Sequence, residues 1–111
     1  MSKASPAFGA RVRLLREQQG KTAKALARQL GVDPAFLRRI ERGVSAAPQP
    51  LVRGIAKELG VSEDPLLVLA GHLPDDVGAI LSRFPEQALR LLRTRFGRKP
   101  RTAKQAHKDS R

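Results

Sequence analysis

Apolar residues recur along this chain at helical spacing, in short blocks punctuated by glycine and proline. Leu26, Ala27 and Leu30 share one face of a block that ends at Gly31. A glycine there can take the left-handed conformation that closes a helix without a Cβ penalty. Asp33 is a good N-cap for the next block, and Pro34 suits a first helical position, where the N–H has no intrahelical partner in any case. From Pro34, Leu37 and Ile40 fall three apart on an inward face with Phe36 beside them, while Arg38, Arg39 and Arg42 turn outward. Two short helices joined by about three residues cross at a steep angle, with Ala27 small enough to allow a close approach.

The same spacing predicts the other elements. Residues 1 to 6 are polar and expected to be loose. A first helix runs from about Ala7 to Gln19, with Phe8, Val12 and Leu15 on one face and Gly20 closing it. Leu14 falls off that stripe, either as an isolated exposed leucine or as a contact for C-terminal helices. Thr22 is a natural N-cap for the second helix. Val44 to Pro50 is a loop by its prolines and small residues. A fourth helix, about Pro50 to Leu59, buries Leu51, Ile55 and Leu59 before Gly60 stops it. A fifth, about Glu63 to Ala70, is capped by Ser62 or Asp64 and ended by Gly71. Leu66, Leu67, Val68 and Leu69 are consecutive, so this helix calls for cover on more than one side. Asp75 and Asp76 open a further helix with Val77, Ile80, Leu81 and Phe84 on its face. Pro85 and Glu86 restart a last one through about Phe96, with Leu89, Leu92 and Phe96 aligned.

The stretch from Thr22 to Gly43 resembles the helix-turn-helix of the phage repressor and Cro type, the XRE family. Leu26, Ala27, Leu30, Gly31, Val32, Leu37 and Ile40 carry the match, and the wider likeness runs from about Phe8 to Gly71. The resemblance implies an all-α fold: a five-helix, lambda-repressor-like helix-turn-helix domain over residues 7–71. To it the chain adds a C-terminal helical hairpin over 72–96, for core completion or dimerisation, and a disordered basic tail over 97–111.

The resemblance also implies a DNA-binding surface. Thr22 would touch a phosphate beside the N-terminus of helix 2, while Ala23 stands where the family commonly has a glutamine anchor. Helix 3 would direct Pro34, Ala35, Arg38, Arg39 and Arg42 toward the duplex. Pro34 and Ala35 offer only shape or contact with a thymine methyl, so the reading falls on Arg39, bidentate to guanine O6 and N7, a contact worth about 1–3 kcal/mol of discrimination. Arg38 and Arg42 are assigned to phosphates. Ser45 and Gln49 could reach phosphates from a loop that carries no charge. Glu41 would be repelled by DNA; the family pairs the equivalent acid with an arginine of helix 1, here Arg16.

Composition narrows the partner. The 111 residues make one small domain with a tail, and their net charge of +12 calls for a polyanion. With no Trp or Tyr and four Phe, the chain is poorly equipped to stack unpaired bases, which favours double-stranded DNA. Six basic residues against Asp109 put +5 on the tail, either as a nonspecific grip on DNA or as a solubilising end. Without cysteine there are no disulfides or thiolate metal sites, and without an apolar run of about 18 residues no membrane span; a cytoplasmic protein is expected. His72 and His107 lack metal-ligand spacing, and no catalytic constellation or nucleotide-binding fingerprint occurs, so neither cofactor nor metal nor enzyme activity is expected. The expected function is a transcriptional regulator, a repressor binding a palindromic operator as a homodimer. The alternatives are an antitoxin with a protein partner that represses its own promoter, and an RNA- or ribosome-associated basic protein.

Overall fold

The computed structural model describes residues 4–97, and every regular element in that span is a helix. The chain divides into two compact units, Met1–Pro74 and Asp75–Arg111. The tail expectation falls on residues 98–111, outside the described residues.

The first unit holds α1 (Pro6–Gln18), α2 (Ala23–Leu30), α3 (Pro34–Glu41), α4 (Gln49–Leu59) and α5 (Glu63–Leu69). The punctuation between α2 and α3 is as the residues predict. Gly31 takes φ 73° and ends α2, Asp33 accepts a hydrogen bond from the Ala35 N–H at 2.9 Å, and Pro34 is the first residue of α3. Phe8 and Val12 of α1, Leu26 and Ala27 of α2, Leu37 and Ile40 of α3, and Ile55 and Leu59 of α4 meet in one buried core, completed by Leu66 and Leu67 of α5. Burying a side chain of this size stabilises by about 1.5–3 kcal/mol, so this apolar contact holds the two crossing helices in place.

Three expectations are corrected, and Leu14 takes one of the two readings open to it. Ser5 is not loose: its Oγ accepts from the Phe8 N–H at 3.1 Å as the N-cap of α1, and donates at 2.8 Å to the Leu69 carbonyl at the end of α5. The fourth helix begins one residue early, with Gln49 in its first turn. Val52, unremarked in the sequence, is fully buried while Leu51 is only half-buried. Val68 is 54% exposed: α5 has two turns, and the side that buries Leu66 and Leu67 necessarily turns Val68 outward. Leu14 is exposed.

One feature that periodicity does not reveal sets the α1–α3 distance. A methyl at Gly9 would collide with the carbonyl oxygens of Ile40 and Glu41, so α1 lies against the backbone of α3 with no room for a side chain. The segment 72–74 goes with this unit: His72 Nε2 donates to the Ala47 carbonyl at 2.8 Å, and Pro74 is buried.

The second unit contains α6 (Asp75–Arg83) and α7 (Pro85–Phe96), packed against each other. Gly78, Leu81 and Ala88 are half-buried, and the remaining described side chains of the two helices are exposed. No helix of the described residues is long and apolar enough to cross a membrane.

Candidate nucleic-acid interface

The interface is built from the start of α2 and the outer face of α3. Thr22 Oγ1 accepts from the Ala25 N–H at 3.0 Å, and the Thr22 carbonyl takes the Leu26 N–H. That leaves the Ala23 and Lys24 N–H groups at the positive end of the helix for solvent or an anion. Beside them lies a recess of about 240 Å³ lined by Arg13, Arg16, Ala23, Arg38, Glu41 and Arg42. The small Ala23 side chain forms part of its wall, where a longer residue would fill it. Arg13, Arg38 and Arg42 are exposed, and a phosphate oxygen entering the recess would meet guanidinium groups and helix N–H groups together.

Glu41 is the acid in this wall, and its charge is fully engaged. Arg16 Nε donates to Glu41 Oε2 at 2.7 Å and Arg16 Nη2 to Oε1 at 2.9 Å, a bidentate pair joining α1 to α3. Arg16 Nη1 also donates to the Lys21 carbonyl at 2.8 Å. The two side chains are only 11% and 5% exposed. The hydrogen bond to Glu41 holds the Arg16 guanidinium above its ordinary pKa, against an opposing effect of burial. The pair that the resemblance implied is therefore present, and it keeps the carboxylate from opposing an approaching polyanion.

Arg39 is exposed on α3 and held by two contacts. Its guanidinium carbon lies 5.6 Å from the centroid of the Phe36 ring, and its Nε donates to Ser45 Oγ at 3.3 Å. Ser45 lies in the loop after α3, and its N–H, like that of Val44, is directed to the Arg39 carbonyl. The loop is thus folded back on the residue expected to read bases.

The structure brings Ala23, Arg38 and Arg42 to one recess and Arg39 to Ser45. Thr22 is the adjoining helix cap. Pro34 and Ala35 are half-buried in the first turn of α3, and Gln49 is half-buried in the first turn of α4, away from the loop position expected of it. Sequence reasoning missed two residues. Arg13 lines the recess, and its signal was available: it precedes Arg16 by three residues on α1, hence on a neighbouring stripe. Phe36 reads in the sequence only as an apolar neighbour of the core; its use as a platform for Arg39 follows from their i, i+3 spacing.

Comparison with known proteins agrees with this fold. Residues 7–69 match the family described as helix-turn-helix domain. The HTH-type transcriptional repressor RghR of Bacillus subtilis (strain 168) is 33% identical over 69 residues, 61% of this chain; the chain spans about half of that relative's length, 51%. The clp gene regulator ClgR of Corynebacterium glutamicum is similar in structure, with a TM-score of 0.54 and 27% identity, over 84% of this chain and 94% of that one. SinR, the master regulator for biofilm formation, solved in complex with DNA, gives a TM-score of 0.50 and 30% identity over 54% of this chain and 97% of that one. With more than half of its length matched, this chain belongs to the helix-turn-helix family of the phage-repressor and Cro (XRE) type, whose members are DNA-binding transcriptional regulators.

Proposed function

We propose that this protein is a sequence-specific double-stranded DNA-binding repressor that occludes a promoter as a homodimer on a palindromic operator. The observation that carries the reading is the distribution of charge across the first unit's outer face. Arg13, Arg38 and Arg42 surround the recess at the start of α2, while Glu41 is held by Arg16. An anion-accepting recess next to a helix presenting Arg39 separates two tasks. Phosphate contacts by Thr22, the Ala23 N–H, Arg13, Arg38 and Arg42 fix the register, and Arg39 reads a guanine edge. Pro34 and Ala35 supply shape at the leading end of α3. Ser45 orients Arg39, and Gln49 stands where the same loop enters α4.

Selection of bound sites from a random duplex library tests this reading. The expected result is a two-fold symmetric consensus with a guanine in each half-site whose preference disappears in Arg39→Ala. Recovery of no consensus, or equal retention of structured RNA, would overturn it.

A further inference from the structure

We infer that His72 is a positioning residue for DNA recognition: from the end of α5, its imidazole seats the loop after α3 where Ser45 meets Arg39. Nε2 of His72 lies 2.8 Å from the Ala47 carbonyl oxygen, 25 residues away in the chain. A carbonyl only accepts, so Nε2 carries the proton, as it does in one neutral tautomer and in the imidazolium alike. Ala47 is buried against the core, where a backbone carbonyl needs a partner. The donor is firmly anchored. Gly71 takes φ 89° at the end of α5, and the His72 N–H donates to the Leu67 carbonyl at 2.8 Å, which fixes the His72 backbone to a helix whose Leu66 and Leu67 lie in the core.

The acceptor sits in a segment with few ties of its own. Val44 to Pro50 contains Pro48 and Pro50, which have no N–H to donate, and Ala46 and Ala47, whose side chains are methyl groups. The Val44 and Ser45 N–H groups, directed to the Arg39 carbonyl at 2.9 and 3.3 Å, hold the start of the loop, and the Val52 N–H on the Pro48 carbonyl at 3.0 Å holds its end. His72 ties the middle. The start is also braced sterically: a methyl at Gly43 would collide with Pro6, the first residue of α1. Ser45 therefore lies between two seats, Gly43 against α1 and Ala47 against the end of α5. Its Oγ accepts from Arg39 Nε at 3.3 Å, the long edge of the range for such a bond, so a loop shift of a few tenths of an ångström away from Arg39 breaks it.

This inference rests on the reading of Arg39 as the base-contacting residue, and its test separates the two. His72→Phe keeps an aromatic ring and removes the donor; His72→Gln returns an N–H donor on a side chain of similar reach. In the full chain without DNA, amide hydrogen exchange at Val44 and Ser45 should rise about two- to tenfold in His72→Phe, as expected for the loss of one hydrogen bond. The amides of buried Val12 and Ile55 should keep their rates, and His72→Gln should restore those of the loop. On matched and mismatched half-site duplexes, His72→Phe should lower the preference at the base pair read by Arg39 about two- to fivefold, less than Arg39→Ala does. His72→Gln should restore that preference, and His72→Phe added to Arg39→Ala should change nothing further. Unchanged exchange at Val44 and Ser45 would overturn the inference, as would equal losses in the Phe and Gln variants, which would make ring packing and not the donor responsible. Faster exchange with the preference intact, where Arg39→Ala abolishes it, would overturn it too. If Arg39→Ala itself left the preference intact, the base-reading role of Arg39 would fall, and the exchange rates alone would decide whether His72 seats the loop.

Discussion

The first unit and the hairpin are written in the same amphipathic code but use it differently. In the first unit, apolar stripes of five helices converge and fully bury Leu26, Leu37 and Ile55. In the hairpin, stripes at the same helical spacing leave Ile80 at 53% and Leu92 at 45% exposure. Helical periodicity specifies which side of an element must be covered and says nothing about what covers it. Charge is arranged differently too: in the first unit Arg13, Arg16, Arg38 and Arg42 line one recess, whereas the hairpin mixes arginines with acids.

The largest expected effect breaks or sustains that contrast directly. Leu37→Ala should cost about 2–5 kcal/mol of stability, since the site is enclosed by rigid neighbours, whereas Leu91→Ala on the hairpin should change stability by less than about 0.5 kcal/mol. Denaturant titration of both variants measures this, and comparable losses would mean that the two units share one core. Next comes the ionic lock, which has no counterpart in the hairpin. Arg16→Ala strands the Glu41 carboxylate at 5% exposure and should cost roughly 3 kcal/mol. Adding Glu41→Ala should then cost little more, so a double-mutant cycle should show coupling of at least about 1 kcal/mol. Additive losses would show that the bidentate geometry has no energetic consequence.

The contrast also marks what could be read from the sequence. The α2–α3 turn was legible because Gly31, Asp33 and Pro34 each carry a local signal whose meaning does not depend on distant contacts. The Arg16–Glu41 pair, 25 residues apart, entered only through the family resemblance; nothing local in either residue points to the other. Gly9 was silent because its role is an absence, a space for the carbonyls of Ile40 and Glu41 that no periodicity encodes. Ser5 was misjudged because half its function, the bond to Leu69, comes from a residue 64 positions away. At the candidate interface the three arginines of α3 were legible from the helical wheel, and the recess was not, since Arg13 and Ala23 belong to different helices.

DNA binding sharpens the comparison by asking whether arginines of the two units are interchangeable. On a half-site duplex, Arg39→Ala should remove about 1–3 kcal/mol of preference at one base pair. Arg38→Ala and Arg42→Ala should instead weaken all sequences alike and lower the slope of log affinity against log salt by about 1 each. Arg90→Ala and Arg93→Ala in the hairpin should leave both preference and slope unchanged. A salt slope that responded equally to Arg38 and Arg90 would show that overall charge, and not the recess, holds the DNA.

The smallest effect concerns one contact that both units possess. Arg39 lies over Phe36 at 5.6 Å and Arg83 over Phe84 at 5.3 Å, so the stacking geometry is nearly the same. Only Arg39 is also tied to a neighbouring loop, through Ser45 at 3.3 Å. An arginine that reads a base must give up side-chain freedom on binding, which costs about 0.5–1.5 kcal/mol when it is unrestrained; one already held by a ring and a hydroxyl gives up less. Phe36→Leu and Ser45→Ala should therefore each reduce the preference at the base pair read by Arg39 by up to about 1 kcal/mol, and the two together should not exceed the loss in Arg39→Ala. In an Arg39→Ala background neither should alter preference further, because both act through that side chain. Phe84→Leu should leave the half-site preference intact, since its arginine belongs to the unit without the recess. The comparison is made on matched and mismatched half-sites at one salt concentration, so that a general change in affinity cancels. If Ser45→Ala weakened both duplexes equally, its hydroxyl would be a phosphate contact, and Arg39 would be oriented by the DNA alone.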